Sequence, residues 1–95
     1  MTSKLKDEKM DELFQAIMSL KDLDEYYKFF DDLCTVSELK AMEQRYQVAK
    51  MLNQGRVYSE IASETGASSA TISRVNRSLL YGSDGYKTAL DREKV

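Results

Sequence analysis

Hydroxyl and guanidinium groups recur at helical spacing between Ser68 and Arg77, and this combination of groups can bind a nucleic acid. The run from Ser68 to Gly82 contains Arg74 and Arg77 and no acidic residue. Serine and threonine hydroxyls can bond to phosphates or base edges, and arginine can bind guanine bidentately or pair with a phosphate. A helix that starts at Ser68 or Ser69 also offers backbone N–H groups to a phosphate. This chemistry predicts a surface for double-stranded DNA.

The predicted DNA-binding residues lie on the outward face of one helix, with one further serine on the helix before it. The methyl group of Ala70 suits the methyl group of thymine, and the polar side chains suit phosphates and base edges. We assign DNA contacts to Ser59, Ser68, Ser69, Ala70, Thr71, Ser73, Arg74 and Arg77.

Residues 58–77 have the spacing of a helix-turn-helix. Such a unit needs a small residue where its two helices cross, a glycine at the turn, and apolar residues that lock the second helix onto the first. The chain supplies these in order at Ile61, Ala62, Gly66, Ile72 and Val75. An ordinary helical hairpin with a glycine turn satisfies the same spacing. The acid-free second helix is the observation that favours DNA binding.

The elements that position this segment are all predicted to be α-helical. The chain has no proline, four glycines, and apolar residues at helical spacing. Thr35 and Glu38 form a capping box that starts the third and longest helix, and Gly55 suits its left-handed stop. We predict an all-α fold of five to six helices, near residues 7–20, 22–33, 35–55, 59–65, 69–81 and 83–95.

Ninety-five residues correspond to a single domain. We assign dimerisation helices to 1–57, the helix-turn-helix to 58–77 and a C-terminal helix to 83–95, all within one domain of residues 1–95. A chain this short buries little surface by itself, and its lone Cys34 and lack of histidine exclude an intrachain disulfide and a His-containing zinc site. Association of two subunits is the remaining way for such a chain to gain stability. The five aromatics between Phe14 and Phe30 either cover that interface or fill the core of one subunit.

Charge is distributed unevenly along the chain, whose net charge is −2. Residues 1–34 hold five lysines against nine acidic residues, whereas residues 35–95 hold nine basic against seven acidic residues. Any surface that faces phosphates is therefore expected in the later part of the chain. One subunit carries so few cations that it is expected to bind DNA weakly, and this also favours a homodimer.

Other classes of protein are less well supported by the composition. General acid–base catalysis needs titratable groups that converge, and the chain has no histidine and only scattered acids, so no enzyme and no metal site are predicted. Cys34 is either a small buried hydrophobe or a reactive thiol. The absence of a long apolar run predicts a cytoplasmic protein without membrane contact. A helical module that binds a protein partner through its acidic first helices is the alternative to DNA binding.

From Phe30 to Leu80 the chain resembles the Trp repressor family, and most of all its branch of Trp-repressor-like proteins of unknown ligand in Gram-positive bacteria. One residue fewer separates Gly55 from Glu60 than in the family. The matching segments are residues 33–35, 38–45, Gly55, 66–74, Asn76 and 78–79. The resemblance implies a transcriptional repressor that forms an intertwined homodimer and places two helix-turn-helix units in successive major grooves about 34 Å apart.

The resemblance also implies a ligand pocket, which in the family holds tryptophan. Arg45 and Arg74 match the two arginines that sandwich the indole ring, while Thr35 and Ser78 match residues that bond the polar groups of the ligand. Val75 stands where the family repressor has glycine, and its isopropyl group would occupy the space of the ring. We therefore predict a regulator without a cofactor or a tryptophan corepressor. Regulation by tryptophan or by another small molecule is the alternative.

Overall fold

Six α-helices form the secondary structure of residues 3–93, the part of the chain that the computed structural model describes. No strand occurs among these residues, and the prediction of an all-α fold is confirmed. The predicted segments 1–57 and 83–95 each include two terminal residues that lie outside the described part. The helices are α1 (Glu8–Met18), α2 (Leu23–Leu33), α3 (Val36–Asn53), α4 (Tyr58–Thr65), α5 (Ser69–Tyr81) and α6 (Gly85–Glu93).

The chain forms two compact units that divide after Val36, and the first of them contains α1 and α2. An aspartate side chain caps each of these helices. The N–H of Met10 donates to Oδ1 of Asp7 at 2.7 Å, and the N–H of Glu25 donates to Oδ1 of Asp22 at 3.0 Å. The caps satisfy N–H groups that have no partner within the helix, and this fixes where α1 and α2 begin.

The apolar side chains of α1 and α2 are not buried in the single chain. Neither helix contains a buried residue, and the side chains of Met18 and Leu23 are 80% and 75% exposed. The interpretation that the aromatics between Phe14 and Phe30 fill the core of one subunit is therefore wrong for the single chain. Apolar periodicity identifies the face of a helix that avoids water, but it does not identify the chain that covers it.

The core of the second unit lies where the later half of α3 meets α4 and α5. Val48, Ile61 and Ile72 are fully buried, and burying one such aliphatic side chain stabilises a fold by about 1.5–3 kcal/mol. In the first half of α3, by contrast, Met42 is exposed and Leu39 is only half-buried. The buried cluster consists of Val48, Ala49, Met51, Ile61, Ala67, Ile72 and Val75.

The end of α3 is a Schellman motif, in which two backbone N–H groups close back on the last turn of the helix. Gly55 has φ 81°, and its N–H donates to the carbonyl of Leu52 at 3.0 Å. The N–H of Arg56 donates to the carbonyl of Met51 at 3.1 Å. The predicted left-handed stop at Gly55 is confirmed. The motif fixes the direction in which the chain leaves α3 and enters α4.

A polar contact ties the end of α6 to α3. The Glu93 carboxylate accepts hydrogen bonds from the Lys50 ammonium and the Tyr46 hydroxyl, and Leu90 on the same helix is buried. The hydrogen bond from Lys50, followed by that from Tyr46, lowers the pKa of Glu93 below its ordinary value of 4.5. The pKa of Tyr46 is raised, chiefly because its hydroxyl donates to Glu93. This contact therefore depends on an ionised Glu93.

Replacing Glu93 by glutamine is expected to flatten the pH dependence of stability in acid. Because the folded-state pKa is lowered, the contribution of Glu93 is complete above the unfolded-state pKa and is lost as the pH falls through the folded-state pKa. The wild-type free energy of unfolding in urea should therefore fall more steeply than that of Glu93→Gln between about pH 5 and pH 3. Asp91→Asn controls for the loss of one carboxylate from α6. Equal slopes for wild type and Glu93→Gln contradict the prediction.

Candidate nucleic-acid interface

Two short helices, α4 and α5, pack against each other across a turn of residues 66–68. Gly66 caps α4 with φ 74°, and its N–H donates to the carbonyl of Ala62 at 2.9 Å. Ile61 and Ile72 are fully buried and Val75 is 2% exposed, so the apolar positions predicted from the spacing are confirmed. The result is a helix-turn-helix whose second helix is α5.

A threonine hydroxyl and a distant glutamine hold the turn between the two helices. Oγ1 of Thr65 donates to the carbonyl of Ile61 at 2.7 Å and accepts from the N–H of Ala67 at 3.1 Å. Nε2 of Gln44 on α3 donates to the carbonyl of Thr65 at 3.1 Å. Neither residue was assigned a role from the sequence. A threonine just before a turn glycine is a local signal for Thr65, but nothing in the sequence pairs Gln44 with it.

The hydroxyl of Ser68 caps α5 and is not simply free to contact DNA. It accepts from the N–H of Thr71 at 3.1 Å and lies 3.1 Å from the Thr71 hydroxyl, to which it donates. Such a cap satisfies one of the N–H groups at the start of the helix. Two of the predicted DNA-binding residues, Ser68 and Thr71, therefore use their hydroxyls within the protein.

The remaining predicted DNA-binding residues are exposed. On α5, Ser69, Ser73 and Arg77 follow one another at intervals of four and form one row, and Ala70 and Arg74 form the adjacent row. The structure thus brings the five together on one face of α5. Ser59 is also exposed, but it lies on α4 and not on this face.

The outer side of α4 carries two acidic residues that are paired with one arginine. Nε of Arg56 lies 3.2 Å from Oε2 of Glu60, and a terminal guanidinium nitrogen of Arg56 lies 2.6 Å from Oε1 of Glu64. The hydrogen bond to Glu64 is the main reason that the pKa of Arg56 is raised. Arg56 was not assigned a role from the sequence. Its spacing of four and eight residues from the two glutamates was the available signal.

The residues matched to a ligand pocket lie in different surroundings. Val75 belongs to the buried cluster, whereas Arg74 and Ser78 are exposed and Arg45 is half-buried. Thr35 belongs to the first compact unit and the other four belong to the second. The side chain of Val75 packs inward, as predicted for a core position of a helix-turn-helix.

Residues 3–93 contain no group of three or more His, Cys, Asp or Glu residues placed to hold a metal ion. None of the helices in this range has the length and apolar character needed to cross a membrane.

A small all-α chain with these features belongs to the helix-turn-helix class. The sequence model of the family described as Trp repressor protein matches residues 8–94, so the chain belongs to the Trp repressor family. The resemblance noted from residues 30–80 is thereby confirmed and extends over the whole of α1 and α2. The chain is 57% identical over 91 residues to the uncharacterized protein YerC of Bacillus subtilis (strain 168), a match that covers 96% of this chain and 88% of that protein.

Two solved structures from other bacteria share the fold. A TrpR-like protein from Eubacterium eligens ATCC 27750 aligns with a TM-score of 0.93 and 58% identity, over 97% of this chain and 95% of that one. A crystal structure of a candidate Trp repressor from Staphylococcus aureus aligns with a TM-score of 0.92 and 54% identity, over 97% and 92%. The six helices therefore adopt a Trp-repressor-like fold.

Replacing Gly66 by alanine is expected to destabilise the protein by about 1 kcal/mol, because a Cβ disfavours the left-handed backbone conformation. The space is open, since an added Cβ meets no atom within 4 Å, so the cost comes from the backbone alone. Gly85→Ala is a matched control, because its Cβ also meets nothing within 4 Å but its φ is not left-handed. Urea unfolding of the two variants measures the difference. Equal stabilities would contradict the expected strain at Gly66.

Two substitutions at Ser68 separate its capping role from any effect on DNA. Ser68→Ala removes the cap and is expected to lower the free energy of unfolding by about 1 kcal/mol. Ser68→Asp keeps a capping oxygen and is expected to retain stability, but it places a negative charge at the start of α5 and should weaken DNA binding. Thermal unfolding and duplex binding are measured on both variants. The capping role is refuted if Ser68→Asp is as unstable as Ser68→Ala.

Proposed function

We propose that the protein is a sequence-specific DNA-binding transcriptional regulator, most simply a repressor, in which α5 is the recognition helix. The observation that carries this proposal is the exposed face of α5, where Ser69, Ser73 and Arg77 form a row beside Arg74 without an acidic neighbour on the same helix. The recognition helix of a helix-turn-helix enters the major groove, where such side chains reach bases and phosphates. Membership of a family of non-enzymatic regulators supports the same reading.

We propose further that the active form is a homodimer. The exposed apolar side chains of α1 and α2 need a partner surface, because a soluble monomer rarely leaves so much apolar area in contact with water. A helical chain of this size also gains much of its stability from association. Two copies double the cations available to DNA and set two recognition helices about one turn of the duplex apart. The intertwined arrangement of the family would both cover the apolar side chains and pair the two recognition helices.

We propose that DNA binding does not require tryptophan. Val75 lies in the buried cluster with Ile61 and Ile72. A branched side chain that packs there supports α5 from within the protein, so no ligand ring is needed beneath the helix. Arg45 and Arg74 then act as surface or DNA-facing cations. Regulation by tryptophan or a related small molecule is the alternative.

Selection of bound duplexes from a random pool, followed by titration of the enriched site, tests the proposal. Arg77→Ala is expected to weaken binding to all duplexes and to lower the dependence of log affinity on log salt by about one unit per site. Ser73→Ala is expected to relax sequence preference and leave the salt dependence unchanged. Arg92→Ala removes an exposed arginine from α6 and serves as the control. The assignment of α5 is wrong if Arg77→Ala and Ser73→Ala both bind the selected site like the wild type.

The same titration is repeated with excess tryptophan, and calorimetry measures binding of the free amino acid. The affinity for DNA is expected to be unchanged. Micromolar tryptophan binding would refute the ligand-independent reading. Absence of any salt-dependent binding to DNA would instead favour the role of a helical module for a protein partner.

A further inference from the structure

Arg56 occupies a position that the backbone fixes before its side chain makes any contact. It is the residue after the left-handed Gly55, and its N–H closes the Schellman motif on the carbonyl of Met51 at 3.1 Å. Two residues later α4 begins at Tyr58. The guanidinium therefore starts from a defined point at the entrance to the helix-turn-helix.

From this point the guanidinium reaches two glutamates on successive turns of α4. Its Nε lies 3.2 Å from Glu60, and a terminal nitrogen lies 2.6 Å from Glu64. A planar fork with several donors can hold two carboxylates in this way, whereas a lysine ammonium is a point charge. The side chains of Glu60 and Glu64 are 53% and 56% exposed, and ion pairs of this kind add little to stability. The main consequence of these two ion pairs is for the electric field outside the protein.

That field matters because the first helix of a helix-turn-helix crosses the phosphate backbone of the duplex. Residues 58–81 contain Glu60 and Glu64 against Arg74 and Arg77, so the two helices alone carry no net charge. At physiological salt, charges act over about 8 Å, which is enough for carboxylates on the first helix to repel nearby phosphates. A cation held against both carboxylates reduces this repulsion.

We propose that Arg56 is a positioning residue for DNA binding, which holds Glu60 and Glu64 in a neutralising pair at the edge of the interface and thereby keeps α4 compatible with the phosphate backbone. This inference rests on the proposed DNA-binding function. It assigns a role to a residue outside the recognition helix. It also gives the two acids on α4 a place in a DNA-binding surface.

A double-mutant cycle tests the assignment on the full chain. The variants are Arg56→Gln, the double variant Glu60→Gln/Glu64→Gln, and the triple variant that combines all three changes. Arg56→Lys, which keeps the charge but loses the planar fork, is made in both glutamate backgrounds. Arg56→Gln is expected to weaken binding to the selected duplex about tenfold when the glutamates are present. The same change should cost less than about twofold when both glutamates are glutamine, because no carboxylate is then released to turn toward the phosphates. Arg56→Lys should fall between wild type and Arg56→Gln.

Two further readouts separate this role from a structural one and from direct contact. Thermal unfolding is expected to change little between wild type and Arg56→Gln, and the tenfold loss should shrink as salt is raised from about 50 mM to 200 mM. An equal loss with and without the glutamates overturns the assignment in favour of direct phosphate contact by Arg56. Unchanged binding by Arg56→Gln also overturns it.

The control Arg77→Ala keeps the two proposals distinguishable. If Arg77→Ala weakens binding while the cycle shows no coupling between Arg56 and the glutamates, only the role of Arg56 is refuted. If the wild-type protein binds no duplex at all, the proposed function and this role are refuted together. If Arg56→Gln fails to fold, the comparison of Arg56→Lys with wild type in the two glutamate backgrounds gives the same decision.

Discussion

The burial of Ile61 and Ile72 against each other's helices is the interaction on which the rest of the second unit depends. These side chains, with Val48 from α3 and Val75 beside them, fill the space between three helices. A close-packed core has little freedom to rearrange, so the rotation of α5 about its own axis is fixed by which of its residues are inside. The outward direction of Ser69, Ser73 and Arg77 follows from this. The surface of the helix is thus determined by its buried side.

Where interactions are local, the sequence was sufficient to predict the structure. The bounds of α5, the left-handed stop at Gly55, the turn at Gly66, and the buried positions Ile61 and Ile72 all follow from spacing and from the backbone preference of glycine. These features depend on residues that lie within one or two helical turns of each other. Helical periodicity and turn chemistry describe such neighbours well.

Where interactions join distant or surface groups, the sequence was not sufficient. Nothing in the pattern indicates that Gln44 donates to the carbonyl of Thr65, which lies 21 positions further on. The hydroxyl of Ser68 was predicted to face DNA, but its use as a cap became visible only from its distance to the N–H of Thr71. The apolar faces of α1 and α2 were recognised, yet the pattern does not show that these faces stay unburied in the single chain. In each case the chemical character of the group was predicted correctly, but the group that it contacts was not.

The turn around Thr65 has a consequence for hydration. The N–H of Gly66, the N–H of Ala67 and the carbonyl of Thr65 already have partners within the protein. These three groups therefore need no hydrogen bond from water or from a large ligand that approaches the turn. The backbone there is also ordered in advance, so little conformational entropy is lost on association. Where these three groups face another molecule, the desolvation cost of close approach is low.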